Sequence, residues 1–285
     1  MEELRLWIND PWLEPYKKTI WNRYQQALIK YLDMAGYGSN LNSSVNSHLF
    51  YGVHKEKQGW AFREWAPNAT ALYLIGDMNS WQKNEEFRFN NIGNGNWELI
   101  LPHEKVKHLQ YFKWFIEWQG GSGERLPAYA TRCVQDPGTY IYSAQIWNPV
   151  PYKWKHRQPV KPSELLIYEA HIGMSGDFEG IATYDYFRIN VLPRIINLGY
   201  NTIQLMAIQE HPYYGSFGYQ VSNFFASSSR LGTPEELNIH IDEAHAAGQL
   251  RFGQAPPLPP QRHPGSRQDR IRTHAGPGGA LQPPG

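Results

Sequence analysis

The residues of this sequence best suited to chemistry lie in one loop rich in tyrosine, histidine and glycine. It contains Gln209-Glu210-His211-Pro212-Tyr213-Tyr214-Gly215-Ser216-Phe217-Gly218-Tyr219-Gln220. Flat aromatic faces beside hydroxyl, imidazole and amide groups suit an uncharged ligand with many hydroxyls better than a phosphate or a metal ion. The residue types therefore favour carbohydrate binding, and the alternative is a loop that only packs over the fold.

Two predicted strands position this loop. Leu165 to Ile172 and Thr202 to Ile208 each form a short apolar run typical of a buried strand. Between them, Thr183 can cap a helix that runs to about Leu198, and Pro193 is expected to kink it or to delay its start.

The long loop, residues 209–232, follows the second strand and leads into a further helix. Thr233-Pro234-Glu235-Glu236 supplies an N-cap, a proline in the first turn and a capping-box glutamate, and Gly248 can end the helix. The order strand, helix, strand, loop, helix predicts parallel strands with right-handed crossovers. In β/α barrels, the loops at the carboxyl ends of the strands build the active site.

The N-terminal half has a different pattern. Residues 11–35 predict a helix with Asp10 as its cap, Pro11 in its first turn and Gly36 at its end. From about residue 50 to 143, short aromatic-rich runs separated by turn signals predict an all-β sandwich. Residues 146–164 form a proline-rich basic segment, interpreted as a linker on the surface or, alternatively, as a basic binding patch.

Composition excludes several classes of function. The 285 residues include 27 Lys+Arg and 26 Asp+Glu, a net charge of +1 without the basic footprint of a nucleic-acid-binding protein. No apolar run could span a bilayer, and no secretory signal is visible. The only cysteine, Cys133, excludes a disulfide framework and a cysteine metal cluster. We expect a cytoplasmic protein with no metal, cofactor, nucleic-acid or membrane partner, and nothing demands more than a monomer.

The last residues, 249–285, differ from the rest. They are rich in proline, glycine and arginine but contain no lysine, and they have too few apolar side chains to bury a core. We expect this tail to be disordered, with no third strand after Gly248, because a central strand cannot contain Pro256-Pro257. Out-of-frame translation of GC-rich DNA would produce such a composition, and translating the locus in all three frames tests that hypothesis.

Several motifs carry a family resemblance. They read Tyr168-Glu169-Ala170-His171-Ile172-Gly173-Met174, then Gln204-Leu205-Met206-Ala207-Ile208 continuing through the loop to Gln220, then Gly232-Thr233-Pro234-Glu235-Glu236-Leu237. Together they resemble the 1,4-α-glucan (glycogen or starch) branching enzymes of the α-amylase superfamily. The first motif alone would also fit debranching or trehalose-forming relatives.

Upstream segments agree with this resemblance, which covers residues 10–248. Glu64-Trp65-Ala66-Pro67 and Gly76-Asp77-Met78-Asn79-Ser80-Trp81 resemble the starch-binding β-sandwich that precedes the barrel in this family. Asp10-Pro11-Trp12-Leu13-Glu14-Pro15-Tyr16 resembles the N-terminal helix of its eukaryote-like branch.

The resemblance implies a multi-domain fold. An N-terminal helical segment (1–49) precedes an immunoglobulin-like β-sandwich that acts as a carbohydrate-binding module (50–145). A linker (146–164), the start of a (β/α)8 barrel (165–248) and the disordered tail (249–285) follow. A complete barrel needs about 250 residues, so this chain would hold only the first β/α units of an incomplete TIM barrel.

The resemblance also assigns substrate-binding residues. Tyr219 resembles the tyrosine that stacks on the sugar ring next to the cleaved bond, and Tyr214, His211 and Gln220 would lie near the same cleft. Trp65 and Trp81 would contact glucan on the sandwich, the alternative being that both lie in its core. For Tyr219, Tyr214, His211 and Gln220, the alternative is that they only pack within the loop.

Catalysis in this family is retaining glycosyl transfer. An aspartate attacks the anomeric carbon, a glutamate protonates the leaving oxygen, and a 6-hydroxyl of glucan replaces water as the acceptor. The two carboxylates must stand about 5–5.5 Å apart, and the family places them on later barrel strands than those found here.

No catalytic residue is therefore assigned to this chain. Glu169 and His171 are interpreted as structural supports, and Glu210 is not expected to substitute for a missing carboxylate. The chain is expected to be inactive as given. Two alternatives are a non-catalytic protein that binds α-glucan and a fragment without function.

Overall fold

A computed structural model of the chain describes residues 6–35 and 45–253, which divide into two compact units. Unit 1 comprises the described residues up to 130 together with 134–146. Unit 2 comprises residues 131–133 and the described residues from 147 onward. No helix within these ranges has the length and apolar character needed to cross a bilayer.

Unit 1 begins with helical segments. Helix α1 spans Leu6–Asn9, a 3-10 helix spans Pro11–Tyr16, and helix α2 spans Lys17–Ala35. The carboxylate of Asp10 caps the 3-10 helix, accepting the Trp12 N–H at 3.1 Å. The helix predicted for 11–35 is thus α-helical only from Lys17. Pro15 explains the difference, because it lacks an N–H donor and disfavours α-helical geometry in the residue before it. Gly36 lies outside the described residues.

The rest of unit 1 is a pair of β-sheets. The strands are β1 (Gly52–Glu56), β2 (Gly59–Trp65), β3 (Ala69–Gly76), β4 (Asn90–Gly93), β5 (Asn96–Leu101), β6 (Tyr111–Trp118), β7 (Gly121–Arg125), β8 (Cys133–Gln135) and β9 (Tyr142–Gln145). One sheet has the order β1-β2-β5-β4, and the other has the order β3-β6-β9-β8 with β7 also paired to β6. The two sheets confirm the predicted β-rich N-terminal half.

The side chains between the sheets form an aromatic core. The Phe62 ring from the first sheet lies 6.1 Å, centroid to centroid, from both Phe112 and Trp114 of the second. All three are fully buried. Because side chains alternate along a strand, residues an odd number of positions away from these three face outward.

Unit 2 contains a three-stranded parallel sheet. Strands β10 (Ile167–His171), β11 (Thr202–Met206) and β14 (Leu250–Gly253) pair in the order β10-β11-β14. The predicted parallel arrangement is confirmed. The prediction that the first strand is buried is wrong for most of its length, since Ile167 and Glu169 are exposed. Within the described residues, β10 pairs on one side only.

Strand β14 corrects the predicted start of the tail at residue 249. Four residues, Leu250–Gly253, extend the parallel sheet immediately after Gly248. The prolines that argued against a strand come only at 256 and 257, so they limit the length of the strand rather than its existence. The remaining predicted tail, 254–285, lies outside the described residues.

The helix after β10 contains the expected irregularity. Helix α3 (Tyr184–Tyr186) and helix α4 (Leu192–Asn197) flank a π-helical turn at Phe187–Val191. The Thr183 hydroxyl caps α3 by accepting the Tyr186 N–H at 3.1 Å. Pro193 thus lies in the first turn of α4, where a missing N–H costs little, and the wider turn before it accommodates the ring.

Helix α5 (Pro234–Ala246) begins with the predicted capping box. The Thr233 hydroxyl accepts the Glu236 N–H at 3.2 Å, and the Glu236 carboxylate accepts the Thr233 N–H at 2.6 Å. The helix ends before Gly248, whose φ of +74° favours glycine. Its apolar face packs into a buried core with residues from β10, β11 and α4.

The segment predicted as a linker packs instead on unit 2. The buried carboxylate of Asp242, on α5, accepts hydrogen bonds from the Tyr152 hydroxyl at 2.9 Å and the Lys155 N–H at 3.0 Å. It also accepts the His156 N–H at 2.8 Å, and the His156 ring nitrogen Nδ1 lies 3.2 Å away. Trp154 packs against the core of the unit. The Trp147 indole N–H donates to Glu235 Oε1, also on α5, at 3.1 Å. We name residues 147–164 the strap, because two carboxylates of α5 hold it to that helix.

Candidate functional site

The first candidate site is an exposed indole on the sandwich. Trp81 follows β3 and is 37% exposed. Its indole N–H donates to Asp77 Oδ1 at 3.0 Å, and the second carboxylate oxygen of Asp77 accepts the Tyr111 N–H at 2.7 Å. The ammonium of Lys113 lies 5.9 Å from the centroid of the Trp81 ring. Asp77 therefore ties the indole to strand β6.

The loop that carries Trp81 is fixed by its own hydrogen bonds. The Asn79 side chain accepts the Gly76 N–H at 2.9 Å and donates to the Leu74 carbonyl at 2.8 Å. Ser80 and Trp81 both adopt left-handed backbone angles, with φ of 55° and 61°. Such angles cost about 1–2 kcal/mol for a residue with a side chain, so the surrounding bonds must hold the turn.

Lys113 adds a positive charge that is already balanced. It lies on β6 next to the inward-facing Phe112 and Trp114, so it faces outward on its sheet. Its ammonium pairs with the Glu124 carboxylate at 2.8 Å. We name Trp81, Asp77 and Lys113 the Trp81 surface. It offers an aromatic face and hydrogen-bonding groups with little net charge, which suits a neutral sugar.

Trp65 lies on the other sheet. It is 56% exposed at the end of β2, and its indole N–H donates to the Asn94 carbonyl at 3.2 Å. It stands three residues from the inward-facing Phe62, so it belongs to the outer face of the first sheet. The alternative that Trp65 and Trp81 lie in the core is wrong. The two indoles do not form one site, because the core of the sandwich separates them.

The second candidate site is the loop after β11 in unit 2. It is not irregular throughout, because β12 (Gln209–Glu210) pairs with β13 (Asn223–Ser227) in a short antiparallel ribbon. Gly218 closes the turn with φ of +82°. A Cβ on Gly218 would lie 2.5 Å from Ala207 Cα, so only glycine allows this close approach.

Two charged side chains hold the base of the loop. Both oxygens of the Glu210 carboxylate accept backbone N–H groups, from His211 at 3.2 Å and Ser229 at 2.7 Å. Burial raises the pKa of Glu210 above its usual value despite these bonds. The Arg230 guanidinium donates to the carbonyls of His211 at 2.5 Å and Pro212 at 2.7 Å. Both residues therefore have structural partners, and the expectation that Glu210 does not replace a catalytic carboxylate stays a prediction.

An aromatic cluster forms where β10 and the loop meet. The His171 ring lies edge-on to Tyr214 and to Phe217, with centroids 6.1 Å apart in both cases. The His211 ring stacks near Tyr214 at 6.5 Å. Burial lowers the pKa of His171, helped by the neighbouring His211, and burial raises the pKa of Tyr214. Both shifts favour the uncharged forms of His171 and Tyr214.

The structure brings together only part of the predicted cleft. His211 and Tyr214 lie in the aromatic cluster with His171, which sequence analysis had interpreted as a support. Tyr219 is 79% exposed and Gln220 is also exposed, and within the described residues no ring contact joins Tyr219 to the cluster. Their assignment to substrate binding stays a prediction.

Sequence reasoning did not assign Asp77, Lys113 or Arg230. Asp77 and Trp81 stand four residues apart in the segment from Gly76 to Trp81, and this spacing lets a turn bring the carboxylate and the indole together. Lys113 could have been found from the alternation of β6, where it lies between two large aromatic residues. Within the described ranges, no group of three or more His, Cys, Asp or Glu side chains could hold a metal ion.

Comparison with known proteins now gives this geometry a context. Residues 50–130 match the model of carbohydrate-binding module 48 (isoamylase N-terminal domain). This range includes the Trp81 surface and Trp65.

Curated relatives match a longer part of the chain. It is 41% identical over 251 residues to a 1,4-alpha-glucan-branching enzyme of Dictyostelium discoideum, covering 86% of this chain and 37% of the relative. It is 40% identical over 253 residues to the corresponding enzyme of Equus caballus, covering 86% and 36%. The chain thus spans little more than a third of the length of these relatives.

Solved structures show the fold at lower identity. A candidate alpha-amylase from Salmonella typhimurium is 20% identical, with a TM-score of 0.59 over 72% of this chain and 32% of its own. A pullulanase from Bacillus acidopullulyticus is 20% identical, with a TM-score of 0.57 over 71% and 29%. By sequence, the chain is therefore homologous to the N-terminal part of 1,4-alpha-glucan-branching enzymes.

Proposed function

We propose that this protein binds α-glucan through the Trp81 surface and serves a branching reaction in glycogen or starch synthesis. In that reaction an α-1,4 link is cleaved and the chain is re-attached as an α-1,6 branch. The observation that carries the proposal is the exposed indole of Trp81, held by Asp77 within the segment that matches a carbohydrate-binding module. An aromatic face that is fixed and exposed can stack on a sugar ring.

The proposal extends to unit 2. We propose that the parallel strands β10, β11 and β14 begin a β/α barrel and that the loop 209–232 lines its substrate cleft. The aromatic cluster of His171, Tyr214 and Phe217 at the end of β10 supports this, since active-site loops of such barrels lie at the carboxyl ends of strands. Tyr219 and Gln220 would meet the substrate from the exposed part of the loop.

Replacing Trp81 with alanine is the direct test of glucan binding. We expect glycogen affinity to fall about tenfold, which corresponds to about 1.4 kcal/mol and is a typical size for a lost aromatic contact. Affinity electrophoresis of the full chain in gels containing glycogen measures this. Trp12→Ala is the matched control, because Trp12 is 86% exposed but lies outside the sandwich.

Unretarded migration of the unmodified chain would contradict the proposal. Equal loss of retardation in the Trp81→Ala and Trp12→Ala variants would contradict the assignment to Trp81.

We expect the 285-residue chain to bind glucan without branching it. On the described strands of unit 2 the only carboxylates are Glu169 and Glu210, and both oxygens of Glu210 already accept backbone hydrogen bonds. Incubation with amylose followed by proton NMR for new α-1,6 links measures the activity. New α-1,6 links formed by the unmodified chain would contradict this expectation, and their loss or persistence in a Glu210→Gln variant would show whether Glu210 or another carboxylate catalyses the reaction.

The alternative is that the whole protein binds glucan without catalysing a reaction. Affinity electrophoresis and the NMR assay for new α-1,6 links together test this alternative. We further propose a cytoplasmic monomer without nucleic-acid or membrane partners. The near-neutral net charge of +1 supports the absence of a partner bound mainly through charge, such as a nucleic acid or an anionic membrane.

A further inference from the structure

A polar groove opens at one side of the sandwich, between the edge strands β3 and β4. Its volume is about 530 Å³, within the range of roughly 300–1,000 Å³ found for small-ligand sites. Its walls include Thr70, Glu85, Arg88, Asn90 and Asn91, over a floor that includes the buried Trp97. We name it the edge groove. Every residue that lines it lies in the segment matching the carbohydrate-binding module.

The charges in the edge groove cancel. The Arg88 guanidinium donates to the Glu85 carboxylate at 3.1 Å, and the Tyr73 hydroxyl donates to the other oxygen of Glu85 at 3.3 Å. Because the one cation and the one anion lining the groove are paired, it has no net field to attract a phosphate or an ammonium group. A neutral, polar ligand fits this balance.

The remaining polar groups match sugar hydroxyls. Asn91 Oδ1 accepts the Gly93 N–H at 2.9 Å, which orients its amide and leaves the NH₂ group available. Within the part of the chain that the structure describes, the side chains of Asn90 and Thr70 make no hydrogen bond. Amides and hydroxyls that each donate and accept can bind adjacent hydroxyls of a sugar ring.

Asn90, in the wall of the edge groove, lies on the same sheet as Trp65. On β5, Glu98 pairs with Asn90 of β4, and Asn96 pairs with Trp65 of β2. Glu98 and Asn96 are two positions apart, so their side chains lie on the same face of the sheet. Asn90 and Trp65 therefore share the outer face of the first sheet, about 12 Å apart, because they are two strand spacings across and two residues along from each other. Trp65 supplies an exposed aromatic platform, whereas the aromatic residues that line the groove, Phe89 and Trp97, are buried.

We propose that the edge groove together with Trp65 forms a second α-glucan-binding surface, separated by the sandwich core from the Trp81 surface. This inference rests on the proposed glucan-binding function. It adds that unit 1 contacts glucan at two places on opposite faces, so two chains, or two stretches of one long chain, occupy them at once.

Affinity electrophoresis of the full chain against glycogen tests the second surface. In a Trp81→Ala background we expect residual retardation, which Trp65→Ala together with Asn90→Ala reduces by a further tenfold or so. The matched control is Trp12→Ala with Lys57→Ala in the same background, because both side chains are exposed and lie away from the groove. We expect the control to leave the residual retardation unchanged.

Tryptic digestion of each variant establishes that the sandwich remains folded. Complete loss of retardation in Trp81→Ala alone would overturn the second surface while leaving the proposed function intact. Residual retardation that does not respond to Trp65→Ala with Asn90→Ala would overturn it as well. No retardation of the unmodified chain would instead remove the proposed function.

Discussion

Replacing Asp242 with alanine is expected to release the strap and lower the stability of unit 2 by about 3 kcal/mol. The Asp242 carboxylate is 2% exposed and accepts hydrogen bonds from Tyr152, Lys155 and His156. Hydrogen bonds to charged groups contribute about 1.5–3 kcal/mol each, and part of that is recovered when water reaches the released groups. The loss should favour local opening of the strap about 100-fold.

Trypsin gives a local measurement of this opening. Lys153, Lys155 and Arg157 lie in the strap, so cleavage after them should accelerate in Asp242→Ala, with Asp242→Asn intermediate because it keeps one acceptor oxygen. Glu243→Ala is the matched control one residue along the same helix. Glu243 pairs with Arg188 at the surface, where such pairs contribute at most about 1 kcal/mol. Equal cleavage in Asp242→Ala and the control would contradict the role of the strap bonds.

The contribution of Asp242 should also depend on pH. Hydrogen bonds from Lys155, His156 and Tyr152 hold the pKa of Asp242 below its usual value, although burial alone acts in the opposite direction. A carboxyl whose pKa is lower in the folded state stabilises the fold above its unfolded pKa, and that stabilisation is lost as the pH falls through the folded pKa. The stability difference between the unmodified chain and Asp242→Asn should therefore be full at neutral pH and shrink below about pH 4.

Replacing Glu64 with alanine is expected to destabilise the sandwich by about 3 kcal/mol. Glu64 is 6% exposed, and its carboxylate accepts the Trp114 indole N–H at 2.9 Å, the Ala128 N–H at 3.1 Å and the Trp65 N–H at 3.0 Å. Trp114 is fully buried, so its N–H would be left without a partner in the core. An unsatisfied buried donor costs about 1–3 kcal/mol, and the two backbone donors add to this.

A double-mutant cycle isolates the indole bond. In a Trp114→Phe background the indole N–H is absent, so Glu64→Ala should cost about 1–2 kcal/mol less than in the unmodified chain. Denaturant unfolding followed by circular dichroism measures both differences. Glu104→Gln serves as the control, because Glu104 is exposed on the same unit. An equal cost in the two backgrounds would show that the indole bond contributes nothing.

Local chemistry explains what the sequence alone could predict. The capping box of Thr233 and Glu236 and the cap at Thr183 depend on residues only three positions apart, and both are present as expected. The parallel pairing of β10 with β11 follows from the order of elements, which leaves few other topologies. Such features depend on neighbours in sequence or on general rules of connection.

The features that could not be predicted depend on distant partners. The strap looks like a linker in its own composition, and the residues that fix it, Asp242 and Glu235, lie at least 86 residues further along the chain than their partners. Trp65 and Trp81 both occur in motifs of the same module, but their faces become known only when the register of each strand is known. Likewise, β14 is only four residues long, and its pairing with β11, rather than its own sequence, identifies it as a strand.

The bond between Asp77 and Trp81 has a consequence for the thermodynamics of recognition. Ordering a flexible side chain on binding costs about 0.5–1.5 kcal/mol. The indole of Trp81 is ordered before any ligand arrives, because Asp77 and the left-handed turn already hold it. If a sugar ring stacks on Trp81 as proposed, it would meet a surface already in its bound form, and the cost of ordering flexible groups would fall mainly on the glucan.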